Sequence, residues 1–142
     1  MLICTFFGHR DSQSDIEERI RKAIRDLIEY NRVEKFYVGN QGNFDKMVFN
    51  ILKDFKKVYP NIKFYVVLAY IPFKDIQIYC DNSIIPDGIE AVPPKYAINY
   101  RNKWMIDNAD IVVSYVTREF GGAAKFTKYA ERKKKRIVKI EL

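Results

Sequence analysis

A chain of 142 residues is long enough for one domain that buries about two thirds of the surface its unfolded form would expose. Two cysteines, Cys4 and Cys80, give neither a disulfide framework nor metal-ligand spacing, so a buried thiol and an incidental one are expected in a reducing compartment, with no metal and no cofactor. The formal net charge of +7 favours an anionic partner, polymer or small phosphate, while the lack of an apolar run of about 20 residues or a signal-peptide start implies a cytoplasmic protein without a membrane partner.

Leu2 to Phe7 reads as a buried first strand that ends at Gly8-His9-Arg10. Ser14-Asp15-Ile16-Glu17 has the pattern of a capping box, and Ile16, Ile20, Ala23, Ile24 and Leu27 then recur at helical spacing to about Tyr30. Phe36-Tyr37-Val38 is a short strand, Gly39-Asn40-Gln41-Gly42 a tight loop, and Asn43 a cap for a helix that buries Phe44, Met47, Val48, Ile51, Leu52 and Phe55. Lys63 to Tyr70 is a third strand, apolar on nearly every residue as in a sheet covered on both sides.

Periodicity fades from Ile71 to Lys95, where Pro72, Pro86, Gly88, Pro93 and Pro94 punctuate the chain. A connection of that length reads as a functional flap or an oligomer contact. Tyr96 to Asn108 is a helix, Ile111 to Tyr115 a strand, and the double glycine Gly121-Gly122 opens another helix. The basic run Arg132 to Arg136 falls where that helix ends, complementing the carbonyl end of its dipole, and Ile137 to Ile140 is the last strand.

Five apolar strands alternating with helices predict an α/β fold, a Rossmann-like parallel sheet covered on both faces, in a single domain over residues 1–142. Ligands of such sheets bind beyond the carboxyl ends of the strands. The loops on that rim are Gly8 to Asp11, Gly39 to Gly42, the proline-punctuated segment, and Thr117 to Lys125.

Unpaired backbone amides and the helix dipole at Gly121-Gly122 suit a phosphate. His9, the only histidine, is placed either for acid-base work or to hold its loop by a hydrogen bond. Arg10 offers a planar fork of donors for phosphate or carboxylate. Gly39 and Gly42 fit a turn with positive φ or close approach of backbone to a ligand. No G-x-G-x-x-G follows the first strand and no P-loop pattern occurs, which argues against an ATPase. Asp45 in a first helical turn is accounted for by the dipole, and Arg101 and Lys103 by a solvated helix face. Tyr70, Tyr79 and Tyr96 border or occupy the flap, where an aromatic can stack on a base.

Phe7-Gly-His-Arg10, Tyr37 to Asp45, Arg101-Asn102 to Asp110, and Gly121 to Ala130 together resemble the SLOG superfamily, named for the DNA-processing A proteins and the LOG phosphoribohydrolases. The likeness covers nearly the whole chain and implies a nucleotide or nucleotide-derived ligand. It places Gly8, Arg10, Gly39, Gly42, Gly121 and Gly122 in a phosphate and ribose cradle that Asn102 and Asp107 line or brace. His9, Asn40, Gln41, Asp45, Arg101, Thr117, Ala123 and Lys125 complete the expected ligand contacts. The hydrolases carry P-G-G-x-G-T-x-x-E, and this chain has Lys128 where that pattern has its catalytic glutamate. A lysine opposes an oxocarbenium-like centre that a carboxylate would stabilise; Glu131 follows one turn later, roughly 5 Å along the axis, and Glu119 and Asp45 are the conceivable substitutes.

The leading expectation is therefore a nucleotide-binding sensor or sequestering module, for an NAD- or ADP-ribose-related ligand among others. The alternatives are cleavage or transfer of an N-glycosidic bond of nucleoside monophosphates, and binding of single-stranded DNA. Homo-oligomers are common in the family the chain resembles, which makes a homo-oligomer a further expectation.

Overall fold

Four largely buried strands and two more exposed edge strands pair as six parallel strands in the computed structural model, which describes residues 1–70 and 82–141. They are β1 (Leu2–Gly8), β2 (Val33–Val38), β3 (Lys63–Val67), β4 (Ser83–Ile84), β5 (Ile111–Tyr115) and β6 (Arg136–Lys139). Their order across the sheet is β4-β3-β2-β1-β5-β6. The helices among the described residues are α1 (Glu17–Glu29), α2 (Asn43–Val58), α3 (Ala97–Asp107) and α4 (Gly122–Arg132).

Side chains alternate across a strand, so neighbouring residues feed two different cores. Phe6, Phe36, Val66 and Val113 pack with Ile20, Ile24 and Leu27 of α1 and with Val48, Ile51 and Leu52 of α2. Their neighbours Phe7, Tyr37, Val67 and Val112 pack instead with Met105 and Ile106 of α3 and with Phe126 and Ala130 of α4. The result is a three-layer, Rossmann-like α/β domain.

Three local expectations are corrected. The capping box does not form: Ser14–Ile16 is a 3-10 turn, α1 starts at Glu17, and no side chain caps either element. Asn43 is the first helical residue of α2 and not its cap; the cap position belongs to Gly42. The sheet has six strands where five were expected, because Ser83–Ile84 adds a two-residue edge inside the segment read as a flap. That segment also holds 3-10 turns at Ile89–Ala91 and Pro94–Tyr96, while residues 71–81, with Pro72, Tyr79 and Cys80, lie outside the described residues.

Chain direction across the sheet reverses once. From β1 the chain moves through β2 and β3 to β4, then returns to lay β5 on the other side of β1. The loops after β1 and β5 therefore diverge and leave a crevice between them at the carboxyl rim.

Ile24 is fully buried against the first core, whereas Phe120 on the rim is 71% exposed. Ile24→Ala should cost about 2–5 kcal/mol in urea unfolding, and Phe120→Ala should change stability by no more than about 0.5 kcal/mol. Equal losses for the two would contradict this packing.

Candidate functional site

A part-buried hydrogen bond helps to pin the crevice. Gly8 ends β1, and His9 immediately beyond it accepts the Thr117 backbone N–H on Nε2 at 2.9 Å. The imidazole is 4% exposed and packs edge-on to Tyr115, 6.0 Å between centroids. Accepting through Nε2 requires a neutral ring with its proton on Nδ1. Burial, reinforced by the nearby Arg118 charge, lowers the His9 pKa and favours that form, with Asp11 opposing. His9 therefore joins the loops after β1 and β5, which is the loop-holding alternative of the two open to it.

A second set of contacts fixes the loop after β2. Arg101, assigned by the sequence to a solvated helix face, is 1% exposed. Its Nε donates to Asn102 Oδ1 at 2.7 Å, and its Nη1 to the Val67 carbonyl at 2.9 Å and to Asn40 Oδ1 at 3.1 Å. Nη2 makes no hydrogen bond among the described residues. Beside the guanidinium, the Asp45 carboxylate accepts the Gln41 backbone N–H at 2.9 Å. A Cβ on Gly39 would lie 2.8 Å from Asp45 Oδ2 and 3.3 Å from Arg101 Cζ, so only glycine lets these two groups close over the loop. Burial raises the Asp45 pKa to about 6 against the lowering effects of the Gln41 amide, Arg101 and Arg10. Asp45 is thus a cleft carboxylate, and the dipole account of it is incomplete.

The two helices that begin on the rim have the same entry and different uses. Gly42 before α2 has φ 92° and ψ −177°, and Gly121 before α4 has φ 94° and ψ 174°, a region open to glycine alone. At α2 the first amide alone is taken, Asn43 N–H donating to the Arg10 carbonyl at 2.8 Å, and Asp45 stands in the first turn. At α4 no side chain caps the start, and the amides of Gly122, Ala123 and Ala124 have no hydrogen-bond partner among the described residues. A dipole end with free donors faces the crevice.

The resulting cleft, about 240 Å³, is lined by Gly8, His9, Arg10, Gln41, Asp45, Arg101, Asn102, Gly121, Gly122 and Ala123. Ten of the fifteen expected contact residues therefore meet in one place. Gly39, Asn40 and Gly42 line an adjoining cavity that shares Asp45. Arg10 reaches across the mouth, its Nη2 3.1 Å from Gln41 Oε1.

No protein-family model matches the chain, and no curated protein matches it.

Some expected residues lie elsewhere. Thr117 contributes its amide to His9, while its side-chain surroundings belong to a second cavity of about 380 Å³. Glu119, Lys128 and Glu131 line that second cavity too, so the hydrolase-pattern position and its nearest substitutes are separated from the Asp45 cleft. Lys125 is exposed, its Nζ 5.3 Å from the Phe126 ring, and does not line the cleft. Lys125 shares the helix face of Gly121 but stands one turn, about 5 Å, further along the axis and away from the rim. Asp107 lies at the far end of α3, accepting the Tyr129 hydroxyl at 2.9 Å, and cannot brace the cradle.

Arg118 and Asp11 were not singled out from sequence. Arg118 forms the wall between the two cavities and pairs in bidentate fashion with Asp11, at 3.0 and 3.2 Å. Its Nε is buried with no hydrogen-bond partner among the described residues. The available signal was its position between Thr117 and the double glycine, where a planar cation on an anion loop carries chemistry.

Asp45 and His9 give opposite pH dependences. Between pH 3.8 and about 6 the folded Asp45 holds more proton than the unfolded chain, so its contribution to stability declines as pH rises through that window. His9, kept neutral in the fold, contributes fully above pH 6.5 and loses its contribution as pH falls toward its lower folded pKa. In urea unfolding, wild-type stability minus that of Asp45→Asn should decrease between pH 3.8 and about 6 and level off above. A constant difference would mean that the carboxyl is not buried as described.

Proposed function

We propose that the cleft binds a nucleotide or nucleotide-derived ligand, in the manner expected of a SLOG-type domain, and that the protein acts as a sensor or sequestering module. The observation that carries this reading is the uncapped start of α4, opening onto the switch-point cleft between β1 and β5. Three free amides there call for an acceptor with several oxygens, and a phosphate supplies them. Arg118 Nε lacks an acceptor among the described residues at the same wall, and the Arg10 and Arg101 guanidinia add positive charge.

Size supports a particular orientation. The cleft is smaller than the roughly 300–1,000 Å³ of sites that engulf a whole ligand, so the sugar phosphate enters and the base rests at the mouth. Phe120, 71% exposed with the Arg118 guanidinium 5.2 Å from its ring, provides an aromatic surface there. An NAD- or ADP-ribose-related ligand, like a simple mononucleotide, satisfies this arrangement.

Thermal unfolding with AMP and ADP-ribose tests the reading. Ligand at 100 times Kd should stabilise the protein by about 2.7 kcal/mol, and Arg10→Ala should reduce that shift severely. Gly121→Ala, which forces a side chain onto φ 94°, should abolish it. Absence of any shift at saturating concentrations of both ligands would overturn the proposal.

One feature favours cleavage of an N-glycosidic bond as a second reading: Asp45 in the cleft, with a pKa of about 6, is part-protonated near neutrality and suited to acid-base work. That reading expects free base from AMP and its loss in Asp45→Asn. Intact AMP after prolonged incubation, followed by chromatography, would eliminate it.

A further inference from the structure

The second cavity, about 380 Å³, has the size of a small-molecule site and takes no part in the nucleotide reading. It opens between the carboxyl ends of β5 and β6, alongside α4. Its floor follows from strand register. Ser114 on β5 pairs with Lys139 on β6, so the two side chains leave the same face of the sheet about 4.8 Å apart. That is the face α4 covers, because Val112 and Ile137, two residues back on each strand, pack with Phe126 and Ala130.

The floor holds an unmet polar group. Ser114 is 2% exposed, yet its hydroxyl makes no hydrogen bond among the described residues. Buried hydroxyls are nearly always paired. Thr127, the other buried hydroxyl lining this cavity, conforms by donating to the Ala123 carbonyl at 2.7 Å. Ser114 thus leaves a donor without an acceptor at the bottom of a cavity.

Charges of both signs stand around it, and they are not spent on one another. Ala124, Thr127, Lys128 and Glu131 form one stripe of α4 along the cavity wall. Glu131 falls in the last turn, where the helix dipole disfavours a carboxylate. Neither Glu131 nor Lys139 makes a side-chain hydrogen bond or ion pair among the described residues, although both line the cavity. Val116, Ala124 and Ile140 supply apolar surface between them.

We propose that this cavity binds a free aliphatic α-amino acid. Its carboxylate accepts from the Ser114 hydroxyl and pairs with Lys139, its ammonium faces Glu131, and its side chain rests on Val116, Ala124 and Ile140. A ligand with both charges answers both unpaired groups, whereas a simple anion or cation leaves one of them unmet. The seat does not call on Arg118, the wall shared with the cleft, so it stands whether or not a nucleotide binds there.

Isothermal titration calorimetry at neutral pH with L-valine tests this, beside N-acetyl-L-valine, which lacks the ammonium, and L-valinamide, which lacks the carboxylate. Valine should bind one to one, and each modified probe several-fold more weakly. Ser114→Ala should leave the melting temperature unchanged or raised, because it removes an unpaired buried hydroxyl. It should also weaken valine binding about ten-fold, the loss expected for a hydrogen bond to a charged group. Lys139→Gln should abolish the preference for valine over valinamide, and Glu131→Gln the preference over N-acetylvaline. Both of these side chains are exposed, so the pair reads the site without touching the packed sheet. AMP should not displace valine. The proposal is overturned by absence of valine binding, by equal affinity for valine and either modified probe, or by acetate binding as tightly as valine. Any of the three variants binding as wild type, or displacement by AMP, would also overturn it. So would a lowered melting temperature in Ser114→Ala, since the hydroxyl would then already have its partner.

Discussion

Burial of one guanidinium organises the rim. A guanidinium buried as deeply as Arg101 needs acceptors, because an uncompensated buried charge costs several kcal/mol. Its acceptors come from three separate elements: the end of β3 at Val67, the loop after β2 at Asn40, and α3 itself at Asn102. Satisfying the arginine thus fixes where the β2 loop stands relative to α3. Asp45 completes the arrangement from α2, and the missing Cβ of Gly39 is what allows carboxylate and guanidinium to approach across the loop.

That arrangement divides the two rim helices by purpose. At the start of α2 the Asn43 amide bonds the Arg10 carbonyl and the Asp45 carboxylate takes the Gln41 amide, so this end holds the loops after β1 and β2 together. Nothing performs that service for α4, although Gly121 repeats the backbone conformation of Gly42 within a few degrees. A Cβ at Gly42 would strike Arg10, while one at Gly121 would meet no atom within 4 Å. Crowding at one helix start and open space at the other distinguish the two. His9 keeps the open side in place by tying Thr117 back to the end of β1.

What was legible in the sequence was whatever hydrophobic pattern controls. Ile111 to Tyr115 has the bounds expected of it, since five buried residues in succession admit little else. The faces of α1 and α2 follow from apolar spacing for the same reason. Arg101 was misread because a charged residue on a helix carries no sign of burial; only the three acceptors around it reveal that, and they come from distant parts of the chain. The Ser14 capping box failed because its spacing is also satisfied by a 3-10 turn that delays the helix to Glu17. Among rim residues, Gly121 and Gly122 line the cleft and Gly39 and Gly42 the adjoining cavity, whereas Lys125 stands a helical turn too far from the rim and Asp107 at the far end of α3, which spacing alone does not resolve.

Helix α4 runs from the cleft to the basic run Arg132 to Arg136, with Gly122 at one end and Arg132 at the other. Its 11 residues span about 16 Å, longer than the roughly 8 Å Debye length at physiological ionic strength. Exposed charges in that run are therefore largely screened from the phosphate position at Gly121. Direct electrostatics does not join the two ends, and any influence between them has to travel through movement of α4 itself. Its inner face, built from Ala123, Ala124, Phe126, Thr127 and Ala130, is buried against the sheet, and a close-packed face resists such sliding. The two ends are thus separable in charge and bound together in packing: substitution of an exposed cation in the basic run leaves the cleft's field essentially as it was, whereas a change on the buried face of α4 disturbs both.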